Sequence, residues 1–237
     1  MARMARRLDA ALAWLFRPQC VACAAATAGE PLCAACVLAL VELGPACPRC
    51  AQPGADILCA RCKREPPPLE RIAAPWRFDG PLASAIRRLK FTGAAHVARG
   101  VAPLWAPLVA AVASATSTAS IVVPVPLHWR RRWRRGYDHA WLLAAHACAH
   151  AGLAPPLPLL RRTRTSPPQS TLPAARRAHN VDGAFAVRRS LADRARGRDI
   201  VLVDDVVTTG ATLAAAARAL LAAGAASVTG VALARAG

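Results

Sequence analysis

The sequence predicts an α/β domain with a parallel sheet, preceded by a small cysteine-rich module. After Arg71, short apolar segments alternate with Ala- and Leu-rich helical stretches, which is the pattern of parallel strands joined by helices. Strands are expected at residues 121–126, 199–203 and 227–233. Eight of the nine cysteines lie before that point. The 237 residues are 55% apolar, which is sufficient for a packed core. We therefore expect the module at residues 1–70 and the larger domain at residues 71–237.

The first residues are expected to form a short helix rather than an export signal. The apolar run from Leu8 to Phe16 follows three arginines, but Asp9 interrupts it and no small-residue cleavage site comes after it. A second apolar stretch, from Val101 to Ala115, is short and broken by prolines. We therefore expect a cytoplasmic protein without a membrane span. The oligomeric state is left open.

Four Cys-x-x-Cys pairs predict two structural zinc sites. Two thiolates separated by two residues can occupy adjacent vertices of a tetrahedral zinc site, and four thiolates leave no position open for a substrate. Regular pairing without an export signal favours zinc over the competing interpretation, four disulfides. Sequential ligation is the simplest arrangement, and cross-braced pairing is the alternative. In the sequential arrangement the two ligand sets are Cys20, Cys23, Cys33 and Cys36, and Cys47, Cys50, Cys59 and Cys62.

The strongest local signal is the segment from Val201 to Leu213, with the sequence VLVDDVVTTGATL. A strand leads into Asp204 and Asp205, then into a Thr- and Gly-rich turn and an Ala-rich helix. Amides at a helix N-terminus and threonine hydroxyls bind phosphate, and glycine allows close approach. Paired carboxylates suit a ribose diol and Mg²⁺. We therefore predict a phosphosugar site whose phosphate contacts are Val207, Thr208, Thr209, Gly210, Ala211 and Thr212.

This segment resembles the phosphate loop of type I phosphoribosyltransferases, which bind phosphoribosyl pyrophosphate (PRPP). Upstream motifs narrow this resemblance to one family. These motifs are Pro124-Val-Pro-Leu-His, Arg132, Arg135-Gly-Tyr, Arg164, Gln169, Leu172, Arg177, Asn180 and Ala184-Phe185. Together with the paired cysteine motifs, they resemble the ComF/GntX family, which is known from competence for DNA uptake. That family usually reads Arg-Gly-Phe-Asn-Gln where this chain has Arg135-Gly-Tyr-Asp-His139.

The resemblance implies a Rossmann-like type I phosphoribosyltransferase domain behind a double zinc ribbon. It implies Mg²⁺ and PRPP as ligands, with Asp204 and Asp205 as the catalytic acids. Pyrophosphate would meet Arg132 and Arg135. The stretch from Arg161 to Gly183 would form a flap over the site, with Arg164 and Gln169 as its contacts, and a disordered linker is the alternative. Lys90 is a further candidate for a residue near the ligand. The alternative is that it lies on a solvated basic face of a helix.

The resemblance also bears on the acceptor. Transferases of 6-oxopurines place an Asp base three residues after the second acid and a Lys three residues later, where this chain has Thr208 and Ala211. Purine salvage is therefore disfavoured. The acceptor would be a better nucleophile, such as an amine, or the domain would bind PRPP without turnover.

The charge distribution suggests a second partner. Lys and Arg total 31 against 13 Asp and Glu, a net charge of +18, and residues 76–198 hold twenty basic and four acidic side chains. Such a field attracts polyanions. Trp129 and Trp133 lie among five arginines, which suits stacking on single-stranded bases as well as an amphipathic helix edge. Two hypotheses follow: a phosphoribosyltransferase that releases pyrophosphate, and a non-catalytic PRPP sensor that binds single-stranded DNA beside the DNA-uptake machinery.

Overall fold

A computed structural model of the chain describes residues 18–54, 56–115, 120–163 and 183–237, without the side chain of Arg131. The helix expected around residues 8–16 lies outside the described part. Eight α-helices are present there: α1 Ala34–Leu38, α2 Ala60–Arg64, α3 Gly80–Phe91, α4 Val97–Val101, α5 Ala106–Ser114, α6 Trp129–Arg135, α7 His139–His150 and α8 Ala211–Ala222. The described strands are β1 Ile72–Ala73, β2 Trp76–Arg77, β3 Ile121–Pro124, β4 Leu160–Arg162, β5 Phe185–Val187, β6 Asp199–Val207 and β7 Ser227–Arg235.

The central sheet is parallel, as the alternation of strands and helices predicts. Its order is β1-β7-β6-β3, and β2 also pairs with β7. All these pairings are parallel, while β4 and β5 form a separate antiparallel pair. β6 is longer than the five residues expected from the apolar run, because its ladder with β7 continues as far as Val207 opposite Arg235. The two acidic residues therefore lie inside the strand.

Helices cover both faces of this sheet. Along β6, Val201 and Val203 pack into one hydrophobic cluster, and the alternate residues Ile200 and Leu202 pack into the other. The first cluster is filled by α3, α4, α5 and α7, and the second by α8 and the β4–β5 pair. Since successive side chains of a strand point to opposite faces, the two clusters lie on the two sides of the sheet.

The cysteine-rich part forms two four-cysteine modules, the first at residues 20–36 and the second at residues 47–62. They pack against different parts of the sheet domain. In the first module Val21 touches Gly100 of α4 so closely that a Cβ at Gly100 would lie 2.6 Å from Val21 Cγ1. The guanidinium of Arg88 in α3 donates to the carbonyls of Cys20 and Val21, both at 3.1 Å. In the second module the Cys50 carbonyl accepts from buried Arg235 at 3.3 Å. Both modules are thus joined to the sheet domain by specific contacts.

In the described part of the chain, no single helix is both long and apolar enough to cross a membrane. The segments Val97–Leu104 and Ala106–Ser114 reach that length only as a pair, which is bent by 59°.

Candidate phosphosugar site

A tight turn connects β6 to α8, at the position where the sequence predicts the phosphate loop. Gly210 has a φ of 78°, in the left-handed region that glycine adopts without strain. A Cβ at this position would also lie 3.1 Å from Ile72 Cδ1 in β1. The N–H of Ala211 donates to the Thr209 hydroxyl at 3.3 Å, and α8 begins at Ala211, as the sequence predicts. Both the backbone angle and the close approach of β1 therefore require glycine here.

Asp205 is the centre of a buried charged cluster. Its Oδ2 lies 2.7 Å from the ammonium nitrogen of Lys90 and 2.9 Å from His139 Nε2. Its other oxygen accepts the N–H of Val206 at 2.6 Å. Burial acts to raise the pKa of Asp205, but Lys90 and His139 outweigh burial and hold that pKa well below its ordinary value. Asp205 is therefore ionised at neutral pH.

Asp204 lies next to Asp205 in the strand but has different surroundings. It is half-buried, and one of its oxygens accepts the N–H of Asp205 at 2.9 Å. Burial and the negative charge of Asp205 raise the pKa of Asp204 to about 7. Near neutral pH the pair therefore combines one carboxylate with one carboxyl group that is close to its titration point.

His139, which differs from the usual family pattern, belongs to this cluster, and Asp138 beside it fixes the start of the helix that carries it. Asp138 caps α7, since its Oδ1 accepts the N–H groups of Ala140 and Trp141, and its Oδ2 accepts the N–H of Leu127 at 3.0 Å. This cap fixes the start of the helix and so places His139 against Asp205. Neither residue has a role that the sequence predicts. An Asp directly before an apolar helix was the signal for the cap, but no local signal pointed to the contact with Asp205.

The predicted pyrophosphate contacts divide into three groups. Lys90 contacts Asp205. Arg135 lies beside His139, with its Nη1 3.3 Å from His139 Nδ1, and its guanidinium is 5.2 Å from the Phe91 ring centroid. Arg132 is exposed on α6. Arg164 and Gln169, with most of the expected flap, lie outside the described residues.

The cysteines form two clusters that match the sequential assignment. Within each group of four, the ligand atoms all lie within 4.8 Å of one another. Cys23 and Cys33 Sγ are 3.8 Å apart, and Cys50 and Cys59 Sγ are 3.7 Å apart. Tetrahedral zinc with bonds of about 2.3 Å separates its sulfur ligands by about 3.8 Å. The spacing therefore fits zinc and is far too long for a disulfide. The full ligand sets are Cys20, Cys23, Cys33 and Cys36, and Cys47, Cys50, Cys59 and Cys62.

The second cluster also touches the phosphate loop. Arg61, which lies between the ligands Cys59 and Cys62 in α2, donates to the carbonyl oxygen of Thr209 at 2.6 Å. Nothing in the local sequence around either residue indicates this contact, because 148 positions separate them.

Comparison with known proteins agrees with this arrangement. Residues 143–237 match the phosphoribosyl transferase domain. The chain is 34% identical over 201 residues to the DNA utilization protein YhgH of Salmonella typhimurium strain LT2, which covers 83% of this chain and 87% of the relative. It is 33% identical to the proteins of the same name from Escherichia coli strain K12 and Shigella flexneri, over the same shares. Relatives that are 33–34% identical over 83% of the chain show the family to which it belongs. Together with the matched domain and the two four-cysteine clusters, they identify the chain as a member of the ComF/GntX family.

Proposed function

We propose that this protein binds Mg²⁺-PRPP at the turn between β6 and α8. The observation that supports this best is the pair of unlike carboxyl groups, Asp204 and Asp205, placed in the strand directly before the turn. The 5′-phosphate would lie on the backbone and hydroxyls of residues 207–212, and the ribose diol would face the acids. Buried acids at this position have a direct use in holding a sugar and a cation.

The charged cluster indicates how the site would change on binding. Lys90 pairs with Asp205 at 2.7 Å and offsets its negative charge. When the ribose and Mg²⁺ approach the acids, the ammonium would turn from Asp205 to an oxygen of the pyrophosphate, with Arg135 beside it. Bound Mg²⁺ would neutralise the pyrophosphate and so make it a better leaving group. His139 would remain on Asp205 and keep that carboxylate oriented.

The reaction class that fits is phosphoribosyl transfer to an acceptor that is not yet identified. Pyrophosphate would leave C1 of the ribose while the acceptor forms a bond to that carbon. The protein would contribute position and charge, through the phosphate loop, the acids and Lys90. Thr208 occupies the place of the base that a purine acceptor requires. The hydroxyl of threonine is a poor proton acceptor at neutral pH, so an amine is the favoured class of acceptor.

Calorimetric titration with Mg²⁺-PRPP tests the site. We expect the wild type to bind, and Asp204→Ala with Asp205→Ala to abolish binding. Asp193→Ala is the matched control, because this carboxylate is exposed and pairs only loosely with Arg196 at 3.5 Å. Equal affinity in the wild type and the double variant would overturn the assignment of the site.

Pyrophosphate release distinguishes a transferase from a sensor. We expect release in the presence of an amine acceptor, and slow or absent release with adenine, guanine or hypoxanthine. Binding of PRPP without release for a broad set of amines and ammonia would favour the non-catalytic alternative.

A second candidate function, single-stranded DNA binding, is supported by the surface of α6. Trp129 and Trp133 are 63% and 87% exposed, and the guanidinium of Arg130 lies 5.2 Å from the Trp129 ring centroid. Exposed aromatic rings among arginines are suited to stacking on bases beside a phosphate backbone. The matched relatives are named for DNA utilization. We propose that α6 contacts DNA, either in a transferase or in a PRPP-sensing adaptor of the DNA-uptake machinery.

A further inference from the structure

Each half of the proposed PRPP site is joined to a different four-cysteine module. Arg88 of α3 donates to two carbonyls of the first module, and Lys90, two residues later in the same helix, reaches Asp205. Arg61 of the second module donates to Thr209 in the phosphate loop. Arg88 is part-buried and holds a whole helix, whereas Arg61 acts on a single carbonyl of the loop. The contact made by Arg61 therefore has the more specific consequence.

The Thr209 carbonyl determines the direction of a phosphate-binding amide. Because a peptide unit is planar and trans, the C=O of Thr209 and the N–H of Gly210 point in opposite directions. Arg61 draws this carbonyl towards the second module, so the N–H of Gly210 is directed away from it. Glycine places little restriction on its backbone angles, and the Thr209–Gly210 peptide plane would otherwise rotate at small cost.

Arg61 is well placed to hold this peptide plane. It lies between Cys59 and Cys62, so two ligands of one cluster restrict its backbone on both sides. Strand β1 provides a second link between this module and the loop. The N–H of Ile72 donates to the Arg49 carbonyl at 2.9 Å, and Ile72 Cδ1 packs against Gly210. The second module thus contacts the loop through a hydrogen bond and through packing.

We propose that Arg61 is a positioning residue for the 5′-phosphate of PRPP, which holds the Thr209–Gly210 peptide so that the Gly210 N–H is available to the anion. The proposal rests on the proposed function, because it assumes that the loop binds the 5′-phosphate. It assigns a part of the second module to ligand binding, in addition to the structural role of its cysteines.

Two partial ligands separate this role from a general effect on folding. Ribose 5-phosphate probes the 5′-phosphate half of the site, and Mg²⁺-pyrophosphate probes the other half. For Arg61→Ala we expect ribose 5-phosphate to bind about three- to tenfold more weakly, the loss of one solvent-exposed charged hydrogen bond. The affinity for Mg²⁺-pyrophosphate, the melting temperature and the bound zinc should stay as in the wild type. Arg61→Lys should restore part of the affinity.

Arg64→Ala is the matched control, because Arg64 is an exposed arginine in the same short helix, outside the cysteine cluster. It should bind both partial ligands like the wild type. Unchanged ribose 5-phosphate affinity in Arg61→Ala would overturn the proposal, and so would equal weakening of both ligands.

The backbone amide of Gly210 provides a readout that needs no ligand. In nuclear magnetic resonance spectra of the ligand-free protein, we expect Arg61→Ala to shift or broaden this amide signal and Arg64→Ala to leave it unchanged. If the wild type binds neither partial ligand, the proposed function fails, while the amide signal still tests whether Arg61 holds the peptide. An unchanged signal in Arg61→Ala would show that it does not.

Discussion

Asp204 and Asp205 are neighbours in one strand, yet their carboxyl groups meet different surroundings. Alternate side chains of a strand point to opposite faces, so only Asp205 is directed at Lys90 and His139. Asp204 is left beside a negative charge, and neither Lys90 nor His139 pairs with it. At the scale of single residues, this difference gives the two acids different protonation and different contributions to stability.

The raised pKa of Asp204 predicts that PRPP binding depends on pH. Below about pH 7 this carboxyl group is protonated in the free protein, and a ribose–Mg²⁺ ligand favours the carboxylate. Affinity for Mg²⁺-PRPP should therefore increase from pH 6 to pH 8, by up to about tenfold per unit below the pKa. Binding near pH 7 should release a proton, which calorimetry in buffers of different ionisation enthalpy detects.

Asp204→Asn is the control for this pH dependence. The variant cannot titrate at this position, so it should bind more weakly and retain only the pH dependence that PRPP itself contributes. A wild-type profile as flat as that of the variant would contradict the role of Asp204.

We expect replacement of the two acids to have different effects on the free energy of unfolding. Asp205→Ala leaves the Lys90 ammonium and the buried His139 imidazole without their acceptor, so we expect a loss of about 1–3 kcal/mol in the free energy of unfolding. Asp204→Ala removes repulsion from Asp205 and should keep or raise stability. Thermal or urea unfolding of both variants measures this. Equal stability of Asp205→Ala and the wild type would show that its ion pairs contribute nothing net.

The acids could be identified from the sequence, and so could Lys90 as a residue near the ligand, but the contacts of Lys90 and His139 with Asp205 could not. The crowding of the two carboxylates predicts that the fold tolerates the loss of both, whereas the ion pairs of Asp205 favour a stabilising role for this acid. The reason is that its partners come from distant segments: Lys90 from α3 and His139 from α7. A short contact between such segments depends on how helices pack on the sheet, and no local spacing contains that information.

At the scale of elements, the strands and the turn between β6 and α8 were predictable because their signals are local. A β-branched run predicts β6, and Gly210 followed by an alanine run predicts the start of α8. The ends of strands were less predictable. β3 ends at Pro124, two residues earlier than expected, and β6 extends four residues further because β7 continues to pair with it.

Helix α6 carries the prediction on DNA. It is short and strongly basic, and both tryptophans are exposed. Arg130, Arg132 and Arg134 are exposed as well, so these three arginines can reach a phosphate backbone. Replacing Arg130, Arg131, Arg132 and Arg134 by Ala should weaken single-stranded DNA binding and reduce the salt slope, by about 0.7 for each phosphate contact that is lost. Fluorescence anisotropy over a series of salt concentrations measures both quantities.

A variant with the same loss of charge provides the comparison. Arg188, Arg189, Arg194 and Arg196 are exposed elsewhere on the domain. Their replacement by Ala should leave the slope closer to that of the wild type. Equal slopes in the two variants would place DNA binding on net charge rather than on α6, and PRPP affinity must be measured in both because Arg132 is also a pyrophosphate candidate.

At the scale of the whole molecule, the two modules are joined to different parts of the sheet domain. We expect the purified protein to hold close to two zinc ions per chain, since each cluster presents four thiols at zinc spacing. Chelation should unfold residues 20–62 and lower the melting temperature, because a module this small depends on metal for its core. Elemental analysis and thermal melts test this.

Cys148 provides a built-in control for the zinc content. It is buried in α7 and lies outside both clusters. Cys148→Ala should retain two zinc ions, whereas Cys62→Ser should lose the ion of the second cluster. Mass spectrometry that finds disulfides, with no bound zinc, would contradict both expectations.

The helices that cover one face of the sheet limit how the protein can be divided into fragments. The matched transferase segment, residues 143–237, includes the phosphate loop but lacks β3, Lys90 and both modules. A fragment cut at that boundary would expose Val201 and Val203, which α3, α4 and α5 normally cover. Such a fragment is expected to aggregate rather than act as a minimal PRPP-binding unit. A shorter fragment that still binds PRPP would then require redesign of the sheet surface that truncation exposes.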